Sequence, residues 1–263
     1  MRVVKIGGAK GTDISYLMED LKNLNDYIVV HGGSDEMNGI SEKLGKPPKT
    51  IRSPSGHVSR YTDRETLEIL KMTYSGSVNK RIVEEMRSRG INAIGLSGLD
   101  GGLLKGRRKA AIRSVENGKV KIIRDDNTGK VEEVNTKLLE TLMESGYVPV
   151  ITIPISSEEG RALNADADRV AAAVASAMGA EELILLTNQP GLLRDLNDPD
   201  SLVERIGLDS IEEGMNIAEG RMKKKVLAAR EALEGGVKKV VISSALVDAP
   251  VTSASSGKGT VIS

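Results

Sequence analysis

"VVKIGGAKG", Val3–Gly11, is answered by "IVVHGGSDEMN", Ile28–Asn38. Each stretch runs a short apolar strand into paired glycines and then into a segment patterned for a helix. In a parallel sheet, ligands bind beyond the carboxyl ends of the strands. Glycines there let backbone N–H groups approach phosphate oxygens, and a following helix presents its positive N-terminus. A tight turn would account for either pair alone; two pairs at equivalent places favour a shared anion site. Other phosphate fingerprints fit poorly. Gly7, Gly8 and Gly11 are spaced GGxxG instead of GxGxxG, and "GKGT" at Gly257–Thr260 has Thr252 where a P-loop needs its first glycine, with no helix behind it.

Outward from these turns, strands alternate with helices, the pattern of a mostly parallel sheet covered on both faces. The periodicity predicts strand at Arg2–Ile6, helix at Asp13–Leu24, strand at Tyr27–His31 and helix at Ser34–Leu44. Gly45–His57, rich in proline, glycine and serine, interrupts it as a projecting loop or hairpin. A long helix is expected over Asp63–Arg89, capped by Thr62 and stopped by Gly90. After the strand "INAIGLSG", the stretch Leu103–Glu133 reads as antiparallel hairpins inserted in the α/β frame, turning at "ENGK" and "DNTGK". Helices at Asn135–Ser145, Asp166–Met178 and Ala218–Glu234, strands at Val148–Ile153, Glu182–Thr187 and Val237–Ser243, and an edge strand near Thr260 complete the frame. Pro154–Asn164 is the best lobe boundary, giving lobes of residues 1–155 and 156–263.

Composition bounds the function. The 263 residues are 39% hydrophobic and 28% charged, ordinary for a globular enzyme. With no cysteine and two histidines, His31 and His57, disulfides and a protein zinc site are excluded or improbable, and the chemistry expected needs no protein-held metal. Lysine plus arginine equals aspartate plus glutamate at 37 each, which argues against nucleic-acid binding by phosphate neutralisation. No run reaches the roughly 18 apolar residues of a membrane span, so a cytoplasmic setting is expected.

Lys5 sets the direction of the chemistry. It sits among Val3, Val4 and Ile6, a run of the kind buried on both faces of a sheet, where an unpaired ammonium costs several kcal/mol. An internal salt bridge would satisfy it; so would a transferring phosphate. "ALNADADRV" places Asn164, Asp166 and Asp168 at the start of an alanine-rich helix, more carboxylates than capping needs. "GRMKKKV" gathers Arg221, Lys223, Lys224 and Lys225 in the first turns of a helix, the wrong end for cations unless an anion is bound. Together these are parts for phosphoryl transfer: glycine loops, two lysines for developing charge and an aspartate to hold them. A carboxylate acceptor needs no general base.

"KIGGA", "HGGS", "SRYTDRETLEI", "NAIGLSGLDGGLL", "LNADAD", "LLTNQPGLL" and "GRMKKKV" in this order resemble the amino acid kinase family, near its acetylglutamate kinases. The resemblance covers essentially the whole chain. It implies a three-layer α/β/α sandwich with an open, mostly parallel sheet of about eight strands and protruding β-hairpins, the N-terminal lobe taking the acyl substrate and the C-terminal lobe ATP with Mg²⁺. By resemblance Lys5 and Lys225 stabilise the phosphoryl group and Asp166 orients both. Gly32, Gly33, Ser34, Arg60 and Asn164 face the acyl substrate, with Arg60 on a carboxylate; Gly7, Gly8, Thr187, Asn188 and Gly191 face the nucleotide.

Within the family the chain is similar to the kinases whose substrate, L-2-aminoadipate or L-glutamate, is carried on a small acidic amino-group carrier protein of the LysW type. Two departures from the acetylglutamate kinases point the same way, Ser34 in place of a glycine and Ala162 in place of an asparagine. The alternative is phosphorylation of free N-acetyl-L-glutamate. The resemblance also implies a homodimer, because the extra N-terminal helix of the hexameric members is missing. The carrier would dock on Lys105, Arg107, Arg108 and Lys109, an acid-free stretch, with Lys49 and Arg52 on the neighbouring loop. Tyr61 in "SRYTD" is the form associated with acceptance of both acids.

Overall fold

The computed structural model describes residues 1–7, 15–54, 56, 58–116 and 118–263. Gly8, Lys10, Gly11, Asp13 and His57 lie outside the described residues.

The chain begins with β1 (Arg2–Ile6), α1 (Ser15–Lys22), β2 (Tyr27–His31) and α2 (Ser34–Lys43), followed by a hairpin of β3 (Thr50–Arg52) and β4 (Val58–Arg60). The long helix is found, but in three parts: α3 (Arg64–Leu70), a wider π-helical stretch (Lys71–Val78) and α4 (Asn79–Ser88). Its cap is Asp63, whose carboxylate accepts from the Thr66 N–H at 2.8 Å; Thr62 stands one residue outside.

After β5 (Ala93–Ser97) come β6 (Leu104–Arg108), β7 (Ile112–Glu116), β8 (Lys119–Ile123) and β9 (Gly129–Val134). β7 and β8 form the expected hairpin, and β6 pairs antiparallel with β9 across it. Next are α5 (Thr136–Glu144), β10 (Val148–Thr152), β11 (Ile155–Ser156), β12 (Ala162–Leu163), α6 (Ala167–Ala177) and β13 (Glu182–Thr187). The chain closes with β14 (Arg205–Ile206), α7 (Ile211–Ile217), α8 (Gly220–Glu234), β15 (Lys239–Ser244), α9 (Pro250–Ser255) and β16 (Thr260–Ile262).

The central sheet has eight strands in the order β14-β16-β15-β13-β1-β2-β10-β5. β15 and β16 are antiparallel; the pairs from β15 to β5 are parallel. β16 is therefore not the edge strand expected near Thr260. The two-residue β14, too short to leave a pattern, covers it.

Alternation along β1 and β2 sends successive side chains to opposite layers. Val3, Ile28 and Val30 enter the core beneath α6 and α8; Val4, Ile6 and Val29 enter the core beneath α1 and α4. Lys5, two residues from Val3, thus emerges on the α6/α8 side, and His31, which pairs with Ile6, on the α4 side. A buried carboxylate closes one other candidate anion site. Asp20 of α1 accepts from the Val251 and Thr252 N–H groups at 2.6 and 2.9 Å, so the protein itself supplies the anion at the N-terminus of α9.

Candidate active site

Because β1, β2, β13 and β15 run parallel, their carboxyl ends share one edge of the sheet, and the N-terminal ends of α6 and α8 meet that edge. Lys5 comes from the end of β1. Its Nζ lies 2.7 Å from Asp168 Oδ1, and Lys225 Nζ, from α8, lies 2.9 Å from Asp168 Oδ2. All three residues are buried, at 5%, 7% and 7% exposure for Lys5, Asp168 and Lys225. The internal salt bridge and the paired lysines are thus one arrangement.

Asp168, not Asp166, holds the two lysines. Asp166 is the N-cap of α6: its Oδ1 accepts from the N–H of Asp168 at 3.0 Å and of Arg169 at 3.3 Å, which turns the carboxylate back onto its own helix. Its outer oxygen lies 3.6 Å from Lys224. Helix phase decides between them. Asp168 is in line with Ala171, Ala172 and Ala175, and Lys225 with Ala228, Ala229 and Ala232, all buried, so each charge heads the apolar stripe of its helix. With Asp168 in this place the register of the resemblance moves by two residues, and the departure read at Ala162 goes with it.

Two cations on one carboxylate leave an excess positive charge at the strand ends. Burial would raise the Asp168 pKa, but Lys225 and Lys5 hold it well below the carboxylate range. Lys225 is shifted down, chiefly by burial and by repulsion from Lys5, against the attraction of Asp168. Two of its neighbours on α8 are also paired: Arg221 reaches Asp35 on α2 at 2.9 Å, and Lys224 the Asp166 carboxylate.

The second glycine turn is tied to the end of β1 through the Gly32 N–H, which donates to the Ile6 carbonyl at 3.2 Å. Gly33 caps α2 against Tyr74 and Val78; a Cβ there would meet Val78 at 3.2 Å. His31 holds the turn from below. One ring nitrogen, Nδ1, is 2.8 Å from the Gly32 carbonyl, and the other, Nε2, is 3.0 Å from Asn79 Nδ2, a pattern that fits the neutral ring with Nδ1 as donor and Nε2 as acceptor. Burial, aided by Lys5 and Arg81, lowers the His31 pKa to about 4.

Ser34 and Arg60 are brought together. Arg60 Nη2 donates to the Ser34 carbonyl at 3.4 Å and to the Asn38 side chain, while its Nη1 is buried without a partner among the described residues. Burial lowers the Arg60 pKa as well. An ionised group short of an acceptor fits a substrate carboxylate. Asn164 connects to the same strand: its Nδ2 donates to Thr62 Oγ1 at 2.9 Å, and Thr62 Oγ1 donates to the Arg60 carbonyl at 3.2 Å. Asp126 accepts from the Thr62 N–H at 2.8 Å. Thr62 was read from the sequence only as a helix cap, and Asp126 and Asn127 were not singled out; the polar "RDDNT" run gave no sign beyond a turn.

Of the residues expected to face the nucleotide, Gly7 follows β1, where a Cβ would lie 3.1 Å from the Leu186 carbonyl, Thr187 ends β13 and Asn188 follows it. Gly191 is packed against β16 instead. A Cβ there would stand 2.6 Å from Thr260 Oγ1, whose oxygen accepts the Leu192 N–H at 2.8 Å, so close approach alone demands glycine. Among the described residues no group of three or more His, Asp or Glu side chains could hold a metal ion, and no helix is long and apolar enough to cross a membrane.

The chain matches the amino acid kinase family over residues 1–244. It belongs to that family. It is 51% identical to the [LysW]-aminoadipate kinase of Deinococcus radiodurans over 267 residues, covering all of this chain and 91% of the relative. It is also 51% identical to the enzyme of that name from Thermus thermophilus over 268 residues, covering both in full. Identity to the acetylglutamate kinase of Methanopyrus kandleri is 40%, over 93% of this chain and 95% of the relative. Among solved structures, smu.665 of Streptococcus mutans UA159 superposes with a TM-score of 0.76 at 24% identity over 100% and 98% of the two chains. The carbamate kinase of Giardia lamblia bound to AMP-PNP gives 0.67 at 15%, over 99% and 97%. These last two establish the fold alone, the α/β sandwich on an eight-stranded sheet.

The docking candidates Lys49, Arg52, Lys105, Arg107, Arg108 and Lys109 are all exposed, but they are not equivalent. Arg108 folds back, donating to the Asp126 and Arg124 carbonyls at 2.9 and 2.6 Å, and so holds the insertion together. Arg107 points outward, 71% exposed, and the strand pairing brings acids beside it: Glu132 and Glu158 stand 3.8 and 3.9 Å away. The acid-free stretch is acid-free only along the chain. Tyr61 shares a hairpin face with Lys49 and lies opposite Arg60; its phenol donates to Asp125 in a cleft of about 690 Å³ between the β3–β4 and β7–β8 hairpins. A reading of substrate length does not follow from it.

Proposed function

We propose that the chain is a phosphotransferase that moves the γ-phosphoryl group of ATP onto the side-chain carboxylate of L-2-aminoadipate, and also of L-glutamate, held on a LysW-type carrier protein. The product is an acyl phosphate for lysine and arginine biosynthesis. The observation that carries this reading is the buried Lys5–Asp168–Lys225 arrangement at the carboxyl ends of the strands.

Lys5 and Lys225 are the catalytic groups. The ammonium groups are fixed before substrate arrives, in a water-poor site where an oriented charge acts strongly on developing negative charge. Asp168 keeps both ionised and aimed, a role assigned from sequence to Asp166. Gly7 and Gly8 are assigned to phosphate, Thr187 and Asn188 border the nucleotide, and Gly32, Gly33, Ser34, Arg60 and Asn164 border the acyl substrate. Arg60 takes its free carboxylate through the partnerless Nη1. The acceptor oxygen is already anionic, so positioning replaces base catalysis. Mg²⁺ would arrive on the nucleotide, offsetting phosphate charge; both oxygens of the nearest buried carboxylate, Asp168, are occupied by lysines.

The carrier reading draws on the two 51% identical relatives and on the exposed cations Lys49, Arg52, Lys105, Arg107 and Lys109, which suit an acidic partner. The protein would work as a homodimer in the cytoplasm, with an N-terminal lobe of residues 1–155 and a C-terminal lobe of residues 156–263. Phosphorylation of free N-acetyl-L-glutamate is the second reading, favoured by the 40% identity to the Methanopyrus enzyme. ADP release with ATP and Mg²⁺, measured against carrier-linked aminoadipate, carrier-linked glutamate and free N-acetylglutamate, separates them. Turnover of the carrier-linked acids alone is expected, and equal turnover of the free acid would overturn the carrier reading.

A further inference from the structure

Three elements meet at Glu231 of α8. Arg169 of α6 grips it with two prongs, Nε donating to one oxygen at 2.8 Å and Nη2 to the other, and Lys130 of β9 stands 3.3 Å from the same carboxylate. Burial opposes ionisation of Glu231, but Arg169 and Lys130 hold its pKa below the ordinary value. Arg169 follows Asp168 directly in sequence, and Glu231 shares its helix with Lys225. The pair therefore bridges the two helices whose mutual placement sets the Lys225–Asp168 contact.

The side chains that these two helices bury are mostly small. α6 and α8 share one core, to which they contribute Val170, Val174 and Val226 but mostly alanines, Ala171, Ala172, Ala175, Ala228, Ala229 and Ala232, all fully or almost fully buried. Alanines bring helix axes close but provide no long interlocking side chains to stop one helix sliding along the other. The bridge forms part of the wall of a cleft of about 500 Å³, which Lys130, Asp166, Arg169 and Glu231 line.

We propose that Arg169 and Glu231 are positioning residues: their two-pronged pair, steadied by Lys130, sets α8 along α6 and so holds Lys225 at Asp168. The inference rests on the reading of Lys225 as a phosphoryl-stabilising group. It also ties the site to the acyl side, because β9 begins at Gly129, whose N–H donates to the Asn164 carbonyl at 2.8 Å.

The test compares Glu231→Gln, Arg169→Gln, a charge-swapped pair (Arg169→Glu with Glu231→Arg) and Lys225→Ala. The swap is built on Lys130→Gln so that no like charge faces the new arginine. ADP release from ATP and carrier-linked aminoadipate is measured at saturation, per folded molecule. The single variants should lose about tenfold in kcat, with KM for both substrates within about twofold of wild type, and the swap should recover most of the loss relative to Lys130→Gln alone. If Glu231→Gln does not fold, Arg169→Lys keeps the charge, loses the second prong and carries the same expectation. Wild-type kcat in the single variants, with Lys225→Ala inactive, would overturn the positioning role, as would a lowered melting temperature with kcat per folded molecule unchanged or failure of the swap to recover. Wild-type turnover by Lys225→Ala would instead overturn the reading beneath it.

Discussion

The lysines on Asp168 and the cations along β6 carry the same charge under opposite conditions. Lys5 and Lys225 are buried, each within 3 Å of one carboxylate, and are placed by strand register and helix phase. Arg107 is 71% exposed, with acids no nearer than 3.8 Å, and is placed by little more than its own backbone. A buried charge must be compensated wherever the chain goes, so it constrains the fold; an exposed one is screened by water and constrains only what approaches it. The buried set suits chemistry and the exposed set suits encounter.

Breaking the buried set should have the largest effect. Asp168→Ala leaves two ammonium groups without their carboxylate, and we expect a loss of about 3–5 kcal/mol in stability, read by urea unfolding, with turnover abolished. Lys225→Ala removes one charge and leaves Lys5 paired, so the fold should survive while kcat falls by about a hundredfold or more. Asp166→Ala sharpens the contrast between the two aspartates: a lost helix cap costs about 1 kcal/mol, and most turnover should remain. If Asp166→Ala is inactive and Asp168→Ala active, the assignment made here is reversed.

Acid probes the buried side again. His31 takes a proton near pH 6.5 when unfolded and only at about 4 when folded, so between those values the unfolded state binds more protons. This contribution to stability is fully present above about pH 6.5 and is lost as pH falls toward 4, a change of about 3 kcal/mol across the window. Unfolding free energy measured against pH should show that slope in the wild type and a flatter one in His31→Gln. The smallest effect on the enzyme itself belongs to the exposed set. Arg107→Glu with Lys109→Glu should leave the melting temperature unchanged, while weakening carrier binding and reducing its salt dependence. Unchanged carrier affinity would remove this strand from the docking surface.

The α/β frame was legible because alternation and glycine turns repeat along the chain. β1, β2 and β13 stand where their apolar runs end, and Lys5 drew attention as a charge inside one of them. What escaped was set by phase or by distant pairing. Asp166 and Asp168 differ in composition not at all; only the start of α6 decides which one faces the lysines, and the spacing to Ala171, Ala172 and Ala175 was the available signal. The acids around Arg107 come from Glu132, on a strand that pairs across an intervening hairpin, and from Glu158, in the loop after β11. No local pattern announces either. Glu231 looked like one of many charges on a helix until Arg169 reached it from another.

β1 lies between β2, made early in synthesis, and β13, made only after some 180 residues have been joined. The carboxylate that neutralises Lys5 comes nearly as late, at Asp168. A ribosome-bound chain that has released only its first half holds an exposed strand edge with an uncompensated ammonium on it, and has every reason to delay its final collapse. A fragment ending at residue 155 would lack both the neighbour, β13, and the counter-ion, Asp168, that the first strand has in the folded chain.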